Sequence, residues 1–171
     1  MTQHLSSDLQ EWAGQARFEL TPSDPSGAAM FWSAPGGETR FYIRHSDDGW
    51  TTLQRSERGG PERFVLATST RPAMERYLWG LFGVDVRSLR GLPRIETPSE
   101  ISELAPGYTV SDLDENDHRT LIDNDGRAVA RARKRTLSLW TLVELSHYLA
   151  ASVEDIKASY EDPSGRPLFH V

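Results

Sequence analysis

The turn signals constrain this chain most. Pro35-Gly36-Gly37, Asp47-Asp48-Gly49 and Arg58-Gly59-Gly60-Pro61 interrupt the first half at short intervals, and Asn124-Asp125-Gly126 interrupts the second. Glycine reaches positive φ at no steric cost, and Asn and Asp tolerate the left-handed region, so such clusters reverse the chain within a few residues. The runs between them suit a pleated surface: Ala28 to Ser33, Arg40 to Arg44, Trp50 to Arg55 and Phe64 to Ala67. Short strands joined by tight turns pair antiparallel, so the first half reads as a meander.

Helical periodicity flanks these runs. Leu5, Leu9, Trp12, Ala13 and Ala16 fall on one face of a segment from Ser7 to Arg17, with Ser7 and Gln10 spaced as a capping box. Thr21 to Gly27 reads as a loop. Thr70 caps a second helix with Pro72 in its first turn; Met74, Leu78, Leu81 and Phe82 form its buried stripe, and Gly83 is placed at its C′ position. Leu92 to Ser99, with Pro93 and Pro98, is the best candidate joint (near 92–99).

The second half repeats this order. Tyr108-Thr109-Val110 is extended, and Arg119 to Asp123 and Arg127 to Arg133 form a hairpin. Leu137 to Ala151 is a helix, Ser152 caps a last short one, and Pro167 to Phe169 reads as a final strand segment. The fold expected is α+β: a mainly antiparallel sheet with a few packed helices, in two strand-then-helix halves, with residues 1–171 as a single domain.

Several chemistries drop out. The chain has no cysteine, which removes thiolate metal sites, disulfides and cysteine nucleophiles. Its longest apolar run is Ala28 to Trp32, far short of the ~20 residues a membrane helix needs. Met1-Thr2-Gln3-His4-Leu5 has neither a basic nor an apolar leader region, so no signal peptide is read there, and the lack of cysteine fits a reducing cytoplasm. His4, His45, His118, His147 and His170 lack metal-ligand spacing, and the glycine pairs lack a phosphate loop's following helix and lysine. No catalytic residue, cofactor or metal ligand is therefore assigned.

Charge is unevenly placed. The chain carries −6 overall, but Glu100 to Asp125 alone holds eight carboxylates against Arg119. Asp112, Asp114, Glu115 and Asp117 are the densest part. Read as a calcium loop, their sixth position requires glycine and holds Asp117. The better reading is an acidic patch that meets a basic partner. Arg127, Arg131, Arg133 and Arg135 follow on one face of a strand at period two, opposite Ala128, Ala130 and Ala132. Phe31, Trp32, Phe41, Tyr42 and Trp50 cluster as core or as contact residues.

The stretches Phe31-Trp32-Ser33, Gly36-Gly37-Glu38-x-Arg40-Phe41-Tyr42-Ile43 and Glu75-Arg76-Tyr77-Leu78-x-Gly80-x-Phe82-Gly83 resemble the actinobacterial antitoxins of the tuberculosis necrotizing toxin type. So do Ala105-Pro106-Gly107-Tyr108, Leu145-Ser146-His147, Ser152-Val153-Glu154-Asp155, Ser159-Tyr160 and Asp162-Pro163-x-Gly165-x-Pro167-Leu168-Phe169. The resemblance runs from about residue 28 onward. It implies a cytosolic, non-catalytic immunity protein that binds the NAD+ glycohydrolase domain of a secreted toxin and blocks its NAD+ cleft, with no nucleic-acid or membrane partner. The interface candidates are the acidic set Asp112, Asp114, Glu115 and Asp117 and the protruding turns at Gly36, Gly37, Asp47 and Asp48. Two other readings stand beside it: an adaptor that binds a basic protein or a nucleic acid through the Arg127–Arg135 face, and an enzyme acting through His147 or His118.

Overall fold

A computed structural model describes residues 4–171; Met1, Thr2 and Gln3, part of the N-terminus read above for a leader, lie outside the described residues. The strands are β1 (Phe18–Thr21), β2 (Ala29–Ser33), β3 (Thr39–His45), β4 (Thr51–Glu57), β5 (Arg63–Thr68), β6 (Thr109–Val110), β7 (His118–Ile122) and β8 (Ala128–Arg133). They form one antiparallel sheet in the order β1-β2-β3-β4-β5-β8-β7-β6. The two halves join where β5 pairs with β8, at Leu66↔Ala132, Ala67↔Arg131 and Thr68↔Ala130. The helices are α1 (Ser7–Gln15), α2 (Arg71–Leu89), α3 (Arg135–Ala150) and α4 (Val153–Glu161). This is the α+β arrangement expected from the turn signals.

Alternation sorts the strand residues. Phe31, Phe41, Ile43, Leu53, Leu66, Leu121, Ala130 and Ala132 are buried against the helices. Phe82 of α2 gathers the aromatic part of this layer, with ring centroids 5.1 Å from Phe18, 4.9 Å from Phe31 and 6.2 Å from Phe41. Each such side chain contributes about 1.5–3 kcal/mol on burial.

Helix α2 is the axis of the helical layer. Trp12 of α1 donates its indole N–H to the carbonyl of Trp79 at 3.0 Å. Gly80 and Gly83 lie three apart on another side. A Cβ added at Gly80 would enter the Tyr148 ring of α3, and one at Gly83 would enter the Tyr160 ring of α4. Tyr148 and Tyr160 join their hydroxyls at 2.5 Å, and Tyr148 also donates to Glu144 at 2.5 Å. Burial pushes the Glu144 carboxyl above its usual range. Arg87, itself buried, donates to the carbonyls of Ser159, Tyr160, Asp162, Pro163 and Pro93, so one guanidinium holds the end of α4 and the chain after α2.

Four local expectations are corrected. Gly83 is not a C′ residue: α2 continues to Leu89, because the glycine is needed for close packing and not for a turn. The cap of α1 is Ser6, whose Oγ accepts from the Leu9 N–H, one residue before Ser7. Arg17 turns the chain at φ 62° directly into β1, a strand too short to show alternation. Pro167 to Phe169 is not a strand: Arg166 to Leu168 form a turn, and the chain then makes a single bridge between Glu96 and His170.

Gly83→Ala should destabilise the protein by about 1–3 kcal/mol through overpacking. Gly14→Ala, in the last turn of α1 with open space around the new methyl, should stabilise it by about 0.4–1 kcal/mol. Urea unfolding midpoints of the two variants check the contrast.

Candidate functional site

The helices pack together on one side of the sheet: α1 against α2 through Trp12, and α3 and α4 against α2 through the two glycines. The opposite face carries the other half of each alternation. Trp32, Arg40, Arg44, Gln54, Phe64, Thr120 and His118 stand there half-buried, Arg131 and Arg133 exposed, and no helix of the described residues covers them. This face keeps aromatic and arginine side chains at the surface, apart from the core.

Two acidic turns border this face at opposite strand ends. In the β3–β4 hairpin, Asp48 accepts from the Ser46 hydroxyl at 2.5 Å and the Trp50 N–H at 3.0 Å, while Gly49 takes φ 87°. In the β6–β7 loop, Asp114 accepts from the Asn116 N–H at 2.8 Å and the His118 N–H at 2.9 Å. The Ser46 hydroxyl holds the Asp48 carboxyl below its usual range, and the two backbone N–H groups do the same for Asp114. Asp47, Asp112, Glu115 and Asp117 are exposed beside them. Asp117 adopts φ 60°, and its carbonyl accepts from the Lys134 backbone N–H at 3.0 Å, so the end of the acidic loop is tied to the residue that follows β8.

The pairing of strands connects the two turns. Trp50, held by Asp48, lies under the Arg131 guanidinium, 4.5 Å from ring centroid to Cζ. Arg131 and Arg133 share the open face of β8, and Arg133 is opposite His118 on β7. His118 Nδ1 is 3.7 Å from Asp114, and its ring meets the Phe64 ring edge-on at 5.7 Å. Arg131 acts as a positive neighbour of both Asp48 and Asp114. Gly36 and Gly37 stand apart. They form the β2–β3 turn at φ 89° and 63°, with the Gly37 carbonyl accepting from Arg40 Nε at 3.1 Å, on the far flank of the sheet.

The arginine row is not one strand face. Arg127 lies in the β7–β8 turn, 3.5 Å from Asp125, and Arg135 is the first residue of α3; only Arg131 and Arg133 share the strand. Its period-two spacing is real, but the strand spans only Ala128–Arg133. His147 Nε2 lies 2.6 Å from the carbonyl of Glu103. A cavity of about 860 Å³ beneath residues 94–99 is lined by Trp140, Glu144, Phe169 and His170, and by neither His147 nor His118. Sequence reasoning did not find the Trp50–Arg131 and Phe64–His118 contacts, because their partners are more than fifty residues apart and meet only through the β5–β8 pairing.

The model of immunity protein 61 matches residues 12–168. The immunity factor for TNT of Mycobacterium tuberculosis and its homolog in Mycobacterium bovis are each 38% identical over 170 residues, covering 96% of this chain and 92% of theirs. The solved structure of Rv3902c from M. tuberculosis superposes with a TM-score of 0.87 at 36% identity, covering 98% of this chain and 94% of that one.

Because folding depresses the Asp48 and Asp114 carboxyls, their stabilising bonds are present above the ordinary 3.8 and are lost as pH falls through the lowered values. Asp114→Ala should speed amide hydrogen exchange at Asn116 and His118. Asp114→Asn, which keeps the accepting oxygen, should leave those rates near wild type.

Proposed function

The chain belongs to the immunity protein 61 family, and from that membership we propose that it is an antitoxin: it binds a toxin domain of the tuberculosis necrotizing toxin type and blocks its NAD+ cleft. The observation that carries this reading is the near full-length likeness to two immunity factors for TNT. In this reading the protein does no chemistry and works by occupying space. It acts in the cytoplasm, where it guards the cell's own NAD+, and residues 1–171 act as one immunity domain. The unbroken sheet, with helices on one side and an uncovered face on the other, supports a binding role.

The acidic turns supply a physical route. A cleft that receives the pyrophosphate of a dinucleotide needs positive charge, and carboxylates on a rigid loop compete for that charge. Asp112 and Glu115 are exposed, and the carboxylate that holds the turn is that of Asp114, which leaves theirs for this role.

Co-expression with a candidate NAD+ glycohydrolase domain should restore growth and the cellular NAD+ level. Absence of rescue across the cognate candidates would overturn the antitoxin reading. The double variant Asp112→Lys, Glu115→Lys should bind the rescued toxin domain more weakly, with the loss greatest at low salt and the salt dependence flattened. An unchanged affinity would remove the acidic loop from the interface.

A further inference from the structure

We infer that the stripe crossing the open sheet face from Asp48 through Trp50 and Arg131 to His118 and Asp114 is the surface that seats in the toxin's dinucleotide cleft. This rests on the antitoxin reading and adds the location of contact. Three observations carry it.

The first is composition. Tryptophan and arginine dominate binding hot spots, because each offers a large contact area on a stiff or planar group. Trp50 and Arg131 are stacked in the middle of the stripe, with the tryptophan half-buried and the arginine exposed. A side chain already held in place loses less entropy on association.

The second is anchorage. Asp48 fixes the backbone at Trp50, the β5–β8 and β7–β8 pairings fix Arg131, and Asp114 fixes the backbone at His118. The stripe is therefore a rigid set of contacts on strands and short turns, and not a flexible loop.

The third is charge. Asp47 and Asp48 lie at one end, and Asp112, Asp114, Glu115 and Asp117 at the other, with Arg131 and Arg133 between them and Lys134 beside the second turn. Carboxylates outnumber the cations along the stripe. That balance fits a cleft that is positive because it receives an anionic dinucleotide.

The test uses the full chain and the toxin domain rescued in the co-expression experiment. Binding and inhibition of NAD+ hydrolysis are measured for wild type, Arg131→Ala, Trp50→Ala and, on the helix side, Trp140→Ala, with thermal melts confirming that each variant folds. Arg131→Ala and Trp50→Ala should each weaken binding at least about tenfold, and Trp140→Ala less than about twofold. Hydrogen exchange of the wild-type complex should show new protection in β4, β7 and β8; this readout stands even if Trp50→Ala fails to fold. Wild-type affinity in Arg131→Ala, or protection confined to the outer side of α3, overturns the proposed surface while the antitoxin reading stands. Failure of the wild-type chain to bind any such domain overturns the reading beneath it.

Discussion

The close approach of α3 and α4 to α2 governs the rest of the molecule. The Tyr148 and Tyr160 rings occupy the space that side chains at positions 80 and 83 would fill, and glycine is the residue that leaves it open. Their hydroxyls then meet each other, and Glu144 accepts a hydrogen bond from the Tyr148 hydroxyl. Arg87 closes the same layer from below by collecting the carbonyls at the end of α4. Helices packed this tightly around a central one form a single layer. That layer covers one face of the sheet and leaves the other to solvent.

A bare sheet face has to avoid nonspecific association. Here Arg44 lies over Tyr42 and pairs with Glu62, and Arg131 lies over Trp50, so guanidinium groups cover the aromatic surface. Such stacking keeps large apolar rings in place while presenting charge to water. In the proposed contact, the same arrangement supplies the anchors for the toxin domain. These side chains lie apart from the core, which sits on the opposite side of the sheet.

The α+β class, the hairpin positions and the caps at Thr70 and Ser152 were legible in the residues, because turn chemistry and capping act over three or four positions. The family resemblance was legible as well. Gly83 was misread, since a glycine near the end of an apolar stripe looks the same whether it ends a helix or admits a ring. β1 was missed because four residues are too few to display a period. The arginine row was overextended because period-two spacing continues past Arg133, where the chain has already turned into α3. For the candidate surface, the acidic residues were visible as local charge, but the backbone bond from Lys134 to Asp117 that ties their loop to the end of β8 was not.

By itself the sequence determined where the chain reverses, which residues seek the interior and where negative charge concentrates. Each of these is a property of neighbours along the chain. Only the tertiary structure decided which face of the sheet stays open and that Trp50 meets Arg131 there. Those outcomes follow from strand order, above all from β5 pairing with β8, and strand order is a global solution to burying all the apolar faces at once.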